Sequence, residues 1–125
     1  ARAARNLIRK NHKITFTACY EVHQVLIAAA IGASYIAPYM GRINDQGRNA
    51  EQDICNMQKV LNNANSSCKV LAASLRSIDD ITKLAIKGID VFTLSPNLAK
   101  LIFEVEATIQ ASRIFEGDAI NSGLN

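Results

Sequence analysis

The sequence lacks an apolar run long enough to cross a membrane, and its N-terminus lacks the apolar core of a signal peptide. It also lacks a disulfide framework, because its three cysteines are odd in number, widely spaced and without a CxxC pair. Free thiols are typical of a reducing compartment, so we expect a cytoplasmic protein without membrane contact. Cys19 falls in an apolar run and is expected to pack in the core.

Two further absences narrow the possible ligands. His12 and His23 lie far apart with no cysteine or carboxylate cluster beside them, so the sequence predicts no metal site and no cofactor. Aromatic residues make up only 6% of the chain, and few accompany the cations near the N-terminus. These cations are spread around a helix, so we expect a solvated helix face and no binding of nucleic acid. They are Arg2, Arg5, Arg9, Lys10 and Lys13.

The composition that remains is that of an ordinary globular protein. Hydrophobic residues make up 49% and charged residues 20%, and the net charge of +3 is mild. The 125 residues predict one domain over positions 1–125, long enough to bury a core. A complete (β/α)₈ barrel typically needs about 250 residues, so this length corresponds to half of one.

Short β-rich runs alternate with helical segments along the whole chain. The expected strands are residues 14–19, 35–40, 69–74 and 91–94. The expected helices are residues 1–10, 21–31, 50–64, 78–87 and one final helix from Pro96 to near Gly117, with a polar loop over 41–49. Apolar strands joined by helices imply a parallel sheet. The alternation fits half of a TIM barrel and a doubly wound sheet equally well.

The spacing of apolar residues also predicts which helix faces point inward. The residues expected on inward faces are Val22, Val25, Leu26, Ala29 and Ala30 in the second helix and Ile54, Met57, Leu61 and Ala64 in the third. Gly32 is expected to end the second helix in the left-handed conformation. Ser77 with Asp80, and Ser95 with Pro96, are typical of helix starts.

Two strands end in polar and cationic residues. The runs at 37–42 (APYMGR) and 71–76 (LAASLR) are apolar until their last positions. Because the C-terminal ends of parallel strands meet at one edge of a sheet, we expect Tyr39, Arg42, Ser74 and Arg76 to lie there. In α/β proteins this edge holds anionic ligands.

Four segments of this pattern resemble the transaldolase family, especially its small fructose-6-phosphate aldolase-like branch. They are residues 17–20 (TACY) with Gln24, residues 32–43 (GASYIAPYMGRI), residues 70–76 (VLAASLR) and residues 88–96 (GIDVFTLSP). The resemblance implies an α/β fold that is the parallel half of a TIM barrel, about four βα units preceded by a helix. It also implies class I aldolase chemistry on a sugar phosphate, with a lysine that forms a Schiff base with the substrate.

The resemblance assigns roles to six residues of this chain. Arg42, Ser74 and Arg76 match the phosphate-binding positions, and Gln24 matches a glutamine at the same spacing, which we include among the substrate-binding residues. Tyr39 matches a tyrosine that assists proton transfer, and Thr17 a threonine that helps hold the catalytic water.

Each role has a structural alternative. The two arginines could instead pair with loop carboxylates such as Asp45 and Asp79. Tyr39 could pack inside the barrel, and a strand threonine is simply a good β-former. Glu21 stands where the family has a small or apolar residue, and it could either disturb an anion site or cap a helix.

The Schiff-base lysine has no match in this chain. The family carries it at the end of its fourth strand, and the segments recognised above correspond to the fifth to eighth strands. The lysines present open strands or lie on helices, at Lys10, Lys13, Lys59, Lys69, Lys83, Lys87 and Lys100. We therefore expect this chain alone to lack aldolase activity.

Two functional hypotheses follow. The chain is either the C-terminal half of a transaldolase-type enzyme or a half barrel without catalysis that binds a sugar phosphate or serves as an assembly subunit. Four strands cannot close a barrel, which leaves two open edges and an apolar face. The expected partners are therefore a sugar phosphate and either a second copy of this chain or a complementary half-barrel chain.

Overall fold

A parallel sheet of four strands forms the centre of the computed structural model, which describes residues 2–123. The strands are β1 (Thr15–Cys19), β2 (Tyr35–Pro38), β3 (Lys69–Ala72) and β4 (Val91–Phe92). The helices are α1 (Arg2–Ile8), α2 (Val25–Ile31), α3 (Met40–Asp45), α4 (Ala50–Asn63), α5 (Ile78–Ile86), α6 (Pro96–Phe103) and α7 (Glu106–Asn121), with a 3₁₀ turn at Val22–Gln24. Ala1, which the sequence places in the first helix, lies outside the described residues.

The strands follow one another across the sheet in chain order, and every pair is parallel. The helices that connect them lie on one side, because α4 packs against α2, α5 and β3. A doubly wound sheet reverses its strand order and carries helices on both faces. The expectation of an α/β fold with the parallel half of a TIM barrel is therefore confirmed, with β1 and β4 as open edges.

The core lies between this sheet and its helices. Ile36 of β2 and Val70 of β3 are paired neighbours whose side chains are buried on the helix-covered face. Ile54, Met57 and Leu61 of α4 are completely buried. Their spacing is that of one stripe along a helix, which explains why the apolar pattern predicts α4 well.

Local signals set several helix ends as expected. Gly32 ends α2 with a φ of 76°, a left-handed conformation that glycine adopts without a Cβ penalty. Ser77 and Asp80 form a capping box at the start of α5, with the Ser77 hydroxyl accepting from the Asp80 N–H at 3.1 Å. The Ser95 hydroxyl accepts from the Leu98 N–H, and Pro96 follows it as the first residue of α6.

The polar loop expected over residues 41–49 is wrong in its first half, because Met40–Asp45 forms α3. Met40 and Ile43 are three residues apart and both buried, so this turn is held by its apolar side. The single helix expected after Pro96 is also wrong. Glu104 and Val105 take ψ values of 56° and 106°, which end α6 and start α7, and α7 continues beyond Gly117.

Two predicted inward faces are partly wrong. In α2 the buried residues are Val25, Ala28 and Ile31, whereas Leu26 is 53% exposed. The 3₁₀ turn before α2 has three residues per turn, so it rotates the following helix relative to the uniform pattern assumed from the sequence. In α4, Ala64 is exposed because the helix ends at Asn63.

The chain divides into two compact units, one ending at Leu94 and the other beginning at Ser95. The second unit holds α6 and α7, and it exposes several large apolar side chains, including Phe103 (79%) and Phe115 (69%). The expectation of a single domain over 1–125 stays a prediction. Within residues 2–123, every helix is too short or too polar to cross a membrane.

We expect Leu84→Ala to lower the free energy of unfolding by about 2–5 kcal/mol, because it opens a cavity where a completely buried side chain stood. Ile86→Ala in the same helix is the matched control. Ile86 is 79% exposed, so its truncation should change stability by no more than about 0.5 kcal/mol. Urea denaturation followed by circular dichroism measures both, and equal losses would contradict the assignment of the covered face.

Candidate active site

A cleft of about 440 Å³ lies on the face of the sheet that the helices leave uncovered. Alternate residues of the four strands form its floor, because successive side chains of a strand point to opposite faces. The lining residues are Thr15, Thr17, Ala37, Tyr39, Arg42, Leu71, Ala73, Ser74 and Thr93. Four of the six residues singled out from the sequence are therefore brought together here: Thr17, Tyr39, Arg42 and Ser74.

Tyr39 lies at the centre of the polar contacts in this cleft. Its phenol oxygen is hydrogen-bonded to the Thr17 hydroxyl at 2.7 Å. The Arg42 guanidinium lies over its ring, 4.9 Å from the centroid, and Tyr20 packs edge-on against it at 6.1 Å. The ring is thus contacted by Arg42 and Tyr20 while its hydroxyl is hydrogen-bonded to Thr17, so Tyr39 combines ring packing with a polar contact.

The end of β1 is irregular beside this pair. Ala18 has a φ of 57°, and the register with β2 shifts between Thr17 and Cys19. A bulge of this kind bends a strand and redirects its side chains, and bulges are frequent next to binding sites. Here the irregularity directly follows Thr17, whose hydroxyl reaches Tyr39.

The ends of β2 and β3 approach each other unusually closely. The Met40 and Gly41 N–H groups donate to the carbonyls of Ala73 and Ser74 at 2.9 and 3.0 Å. A Cβ at Gly41 would lie 2.7 Å from the Ser74 oxygen and 2.6 Å from Nε of Arg76. Ser74 itself adopts a φ of 58°, which is uncommon for a residue other than glycine. Glycine at position 41 is therefore required for this junction.

Arg76 lies against Gly41 but does not line the cleft. Its guanidinium makes a bidentate pair with Asp45, with nitrogen–oxygen distances of 2.7 and 2.6 Å. Hydrogen bonds from Arg76 hold the pKa of Asp45 below its usual range, and the charge of Arg42 adds to the effect. The alternative of pairing with a carboxylate thus holds for Arg76, although Asp45 ends α3 and is not in a loop, while Asp79 pairs with Lys83 instead.

Gln24 has a structural contact of its own. Its side-chain oxygen accepts from the backbone N–H groups of Tyr20 and Glu21 at 2.8 and 2.9 Å. It lines a neighbouring pocket with Thr17 and Cys19 and does not reach the cleft itself. Gln24 therefore shapes the turn that carries Tyr20, and its role in substrate binding stays a prediction.

Arg48 is a structural residue of this region that the sequence analysis missed. It binds both oxygens of Glu21 at 2.6 and 3.2 Å and an oxygen of Asp53 at 2.7 Å. Arg48 thereby connects Glu21, in the turn after β1, to Asp53 in the first turn of α4. Glu21 is thus neutralised by a cation, and no local motif could have revealed a pair separated by 27 positions.

No cysteine or lysine of the described residues lines this cleft. Cys19, Cys55 and Cys68 are buried free thiols, and burial raises the pKa of Cys19 to about 11. Lys13 and Lys69 lie together near the starts of the strands, where Lys69 pairs with Asp90. Among residues 2–123, no three His, Cys, Asp or Glu side chains stand where they could hold a metal ion together.

Comparison with known proteins gives one consistent family. The profile of the Transaldolase/Fructose-6-phosphate aldolase family matches residues 1–122. A probable transaldolase of Brucella melitensis biotype 1 is 30% identical over 122 residues, covering 98% of this chain and 56% of the relative. A probable transaldolase of Bartonella henselae is 31% identical over 124 residues, covering 99% and 57%. The chain spans about half the length of the curated relatives it matches.

We expect Gly41→Ala to destabilise the fold by about 1–3 kcal/mol, because the added methyl group meets the Ser74 carbonyl, which is backbone and cannot move aside freely. Gly117→Ala is the matched control. Nothing lies within 4 Å of its added Cβ, so this variant should gain about 0.5–1 kcal/mol from helix propensity. Urea unfolding compares the two, and a Gly41→Ala variant as stable as the parent would disprove the close approach.

Proposed function

The chain belongs to the transaldolase/fructose-6-phosphate aldolase family, and from this premise we propose that its cleft binds the phosphate end of a sugar phosphate. One observation carries the proposal: Arg42 and Ser74 meet the Tyr39–Thr17 pair in a single cleft at the C-terminal edge of the sheet. Guanidinium groups supply paired donors to phosphate oxygens, and a strand-end hydroxyl adds one more. Arg76, beside Gly41, is the second cation of the proposed phosphate site.

In this proposal Tyr39 assists proton transfer at the reacting carbon of the sugar, and Thr17 helps to hold the catalytic water. A phenol can donate a proton to a reacting atom or hold a water if the heavy atoms stand about 2.6–3.2 Å apart. The Thr17 hydroxyl already holds the Tyr39 oxygen at 2.7 Å. A water that bridges these two oxygens would lie beside the substrate carbon, on the same face as Arg42.

The aldol reaction itself needs a nucleophile that we do not assign to this chain. A Schiff-base lysine must be a desolvated amine at the reacting carbon. Lys69 is instead paired with Asp90 and half exposed, and Lys13 lies beside it at the opposite edge from the cleft. We therefore propose class I aldol chemistry for the complete family architecture and no Schiff-base formation by this chain alone.

The placement of the lysines favours a second candidate function, a half barrel that binds a sugar phosphate without catalysis. Both candidates need a partner for the uncovered sheet face. Thr15, Thr17 and Thr93 on this face are exposed, and the edges of β1 and β4 are unpaired in the sheet. We propose that a complementary half-barrel segment or a second copy of the chain covers it. The three free cysteines support a reducing compartment such as the cytoplasm.

We expect Arg42→Ala and Arg76→Ala each to weaken the binding of fructose 6-phosphate about tenfold or more, since each removes a charge-assisted hydrogen bond worth about 1.5–3 kcal/mol. Isothermal titration calorimetry at constant ionic strength measures the dissociation constants. Arg113→Ala, which removes an exposed arginine from α7, controls for net charge and should leave the affinity unchanged. Equal affinities in all four proteins would remove the phosphate site.

We also expect no covalent adduct when the chain is incubated with fructose 6-phosphate and borohydride, because no lysine of the described residues lines the cleft. Intact-mass spectrometry gives the readout, with a class I aldolase treated in parallel as the positive control for trapping. An adduct on any lysine would overturn the assignment of the nucleophile to another segment, and peptide mapping would identify the residue.

A further inference from the structure

The guanidinium of Arg76 is already paired with a carboxylate of the chain itself. The two terminal nitrogens of its guanidinium donate to the two oxygens of Asp45 at 2.7 and 2.6 Å. The third nitrogen, Nε, lies against Gly41. The forked pair of donors that a phosphate would use is therefore taken by a carboxylate, which has the same spacing of oxygens.

The position and exposure of Asp45 allow its ion pair with Arg76 to open. Asp45 is the last residue of α3, and Arg42 lies three positions earlier on the same helix, so one carboxylate acts on both cations. The side chains of Arg76 and Asp45 are 58% and 55% exposed. Exposed ion pairs are weak and open readily, so a ligand with more negative charge can displace this one.

We propose that Asp45 is an internal competitor for the phosphate: its carboxylate binds the two terminal nitrogens of Arg76 and must release them, at least in part, when the anion binds. The inference rests on the proposed sugar-phosphate function of the same cleft. After release, the carboxylate stays on α3 near the bound anion, and like charges repel. Both effects lower the affinity, which keeps binding reversible.

A purely orienting role for Asp45 has the opposite consequence. If the carboxylate served only to hold Arg76 in a competent position, its loss would leave the guanidinium free to turn away and binding would weaken. The sign of the change in affinity therefore distinguishes competition from orientation. Asparagine keeps the size of the side chain but carries no charge, so Asp45→Asn is the direct test.

Inorganic phosphate and fructose 6-phosphate are each titrated into the parent chain, Asp45→Asn and Asp90→Asn. Isothermal titration calorimetry at constant ionic strength measures the dissociation constants. Competition predicts that Asp45→Asn binds both probes about twofold to fivefold more tightly, the range that an exposed ion pair supports. Asp90→Asn is matched in charge and chemistry, because Asp90 is 60% exposed and pairs with Lys69. It should bind as the parent does.

A double-mutant cycle tests whether the gain in affinity of Asp45→Asn depends on Arg76. In an Arg76→Ala background, Asp45→Asn should give a clearly smaller gain, because the fork for which the carboxylate competes is absent and only its repulsion of the bound anion is removed. An unchanged or weaker affinity in Asp45→Asn, or the same gain in the Arg76→Ala background, overturns the inference while leaving the phosphate site intact. If neither the parent nor Asp45→Asn binds either probe, the proposed function fails and the inference fails with it. Binding by Asp45→Asn alone supports competition in its strongest form.

Discussion

The one-sided covering of a parallel sheet is the constraint on which the rest of this structure depends. The connections between successive strands return on the same side, so Ile36 and Val70 are buried under helices. The other face keeps its threonines, Tyr39 and Leu71 in contact with the cleft. The same arrangement that produces a core therefore produces a site, and it leaves the site face open to further strands.

The junction between the ends of β2 and β3 determines where the charged side chains beside the cleft lie. Hydrogen bonds from Met40 and Gly41 to the carbonyls that end β3 bring two cation-bearing segments together. Because Gly41 has no side chain, Arg76 can lie against the start of α3. Arg42 is the residue that follows Gly41 in the same helix. Packing of backbone against backbone thus decides how close two positive charges come, and the carboxylate of Asp45 offsets their repulsion.

The sequence predicts those features that depend on local periodicity or on a single residue type. The strands, the inward stripe of α4 and the caps at Gly32, Ser77 and Ser95 are of this kind. It fails where an irregular piece of backbone or a tertiary contact decides. The rotation of α2 follows from a 3₁₀ turn, and α3 forms where a polar loop was expected. In the site, strand ends indicate Tyr39, Arg42 and Ser74, but the pairing of Arg48 with Glu21 depends on tertiary structure alone.

The length of the strands separates the amine at the start of β3 from the cleft at its end. Lys69 begins β3 and Ala73 lies just after its end, and four residues of strand span about 13 Å at about 3.3 Å per residue. The flexible four-carbon stem of a lysine is much shorter than that distance. Side chains at the start of a parallel strand therefore cannot serve ligands held at its end. Under the proposed function, a nucleophile for a sugar bound at Arg42 would therefore come from another strand end that faces the same cleft.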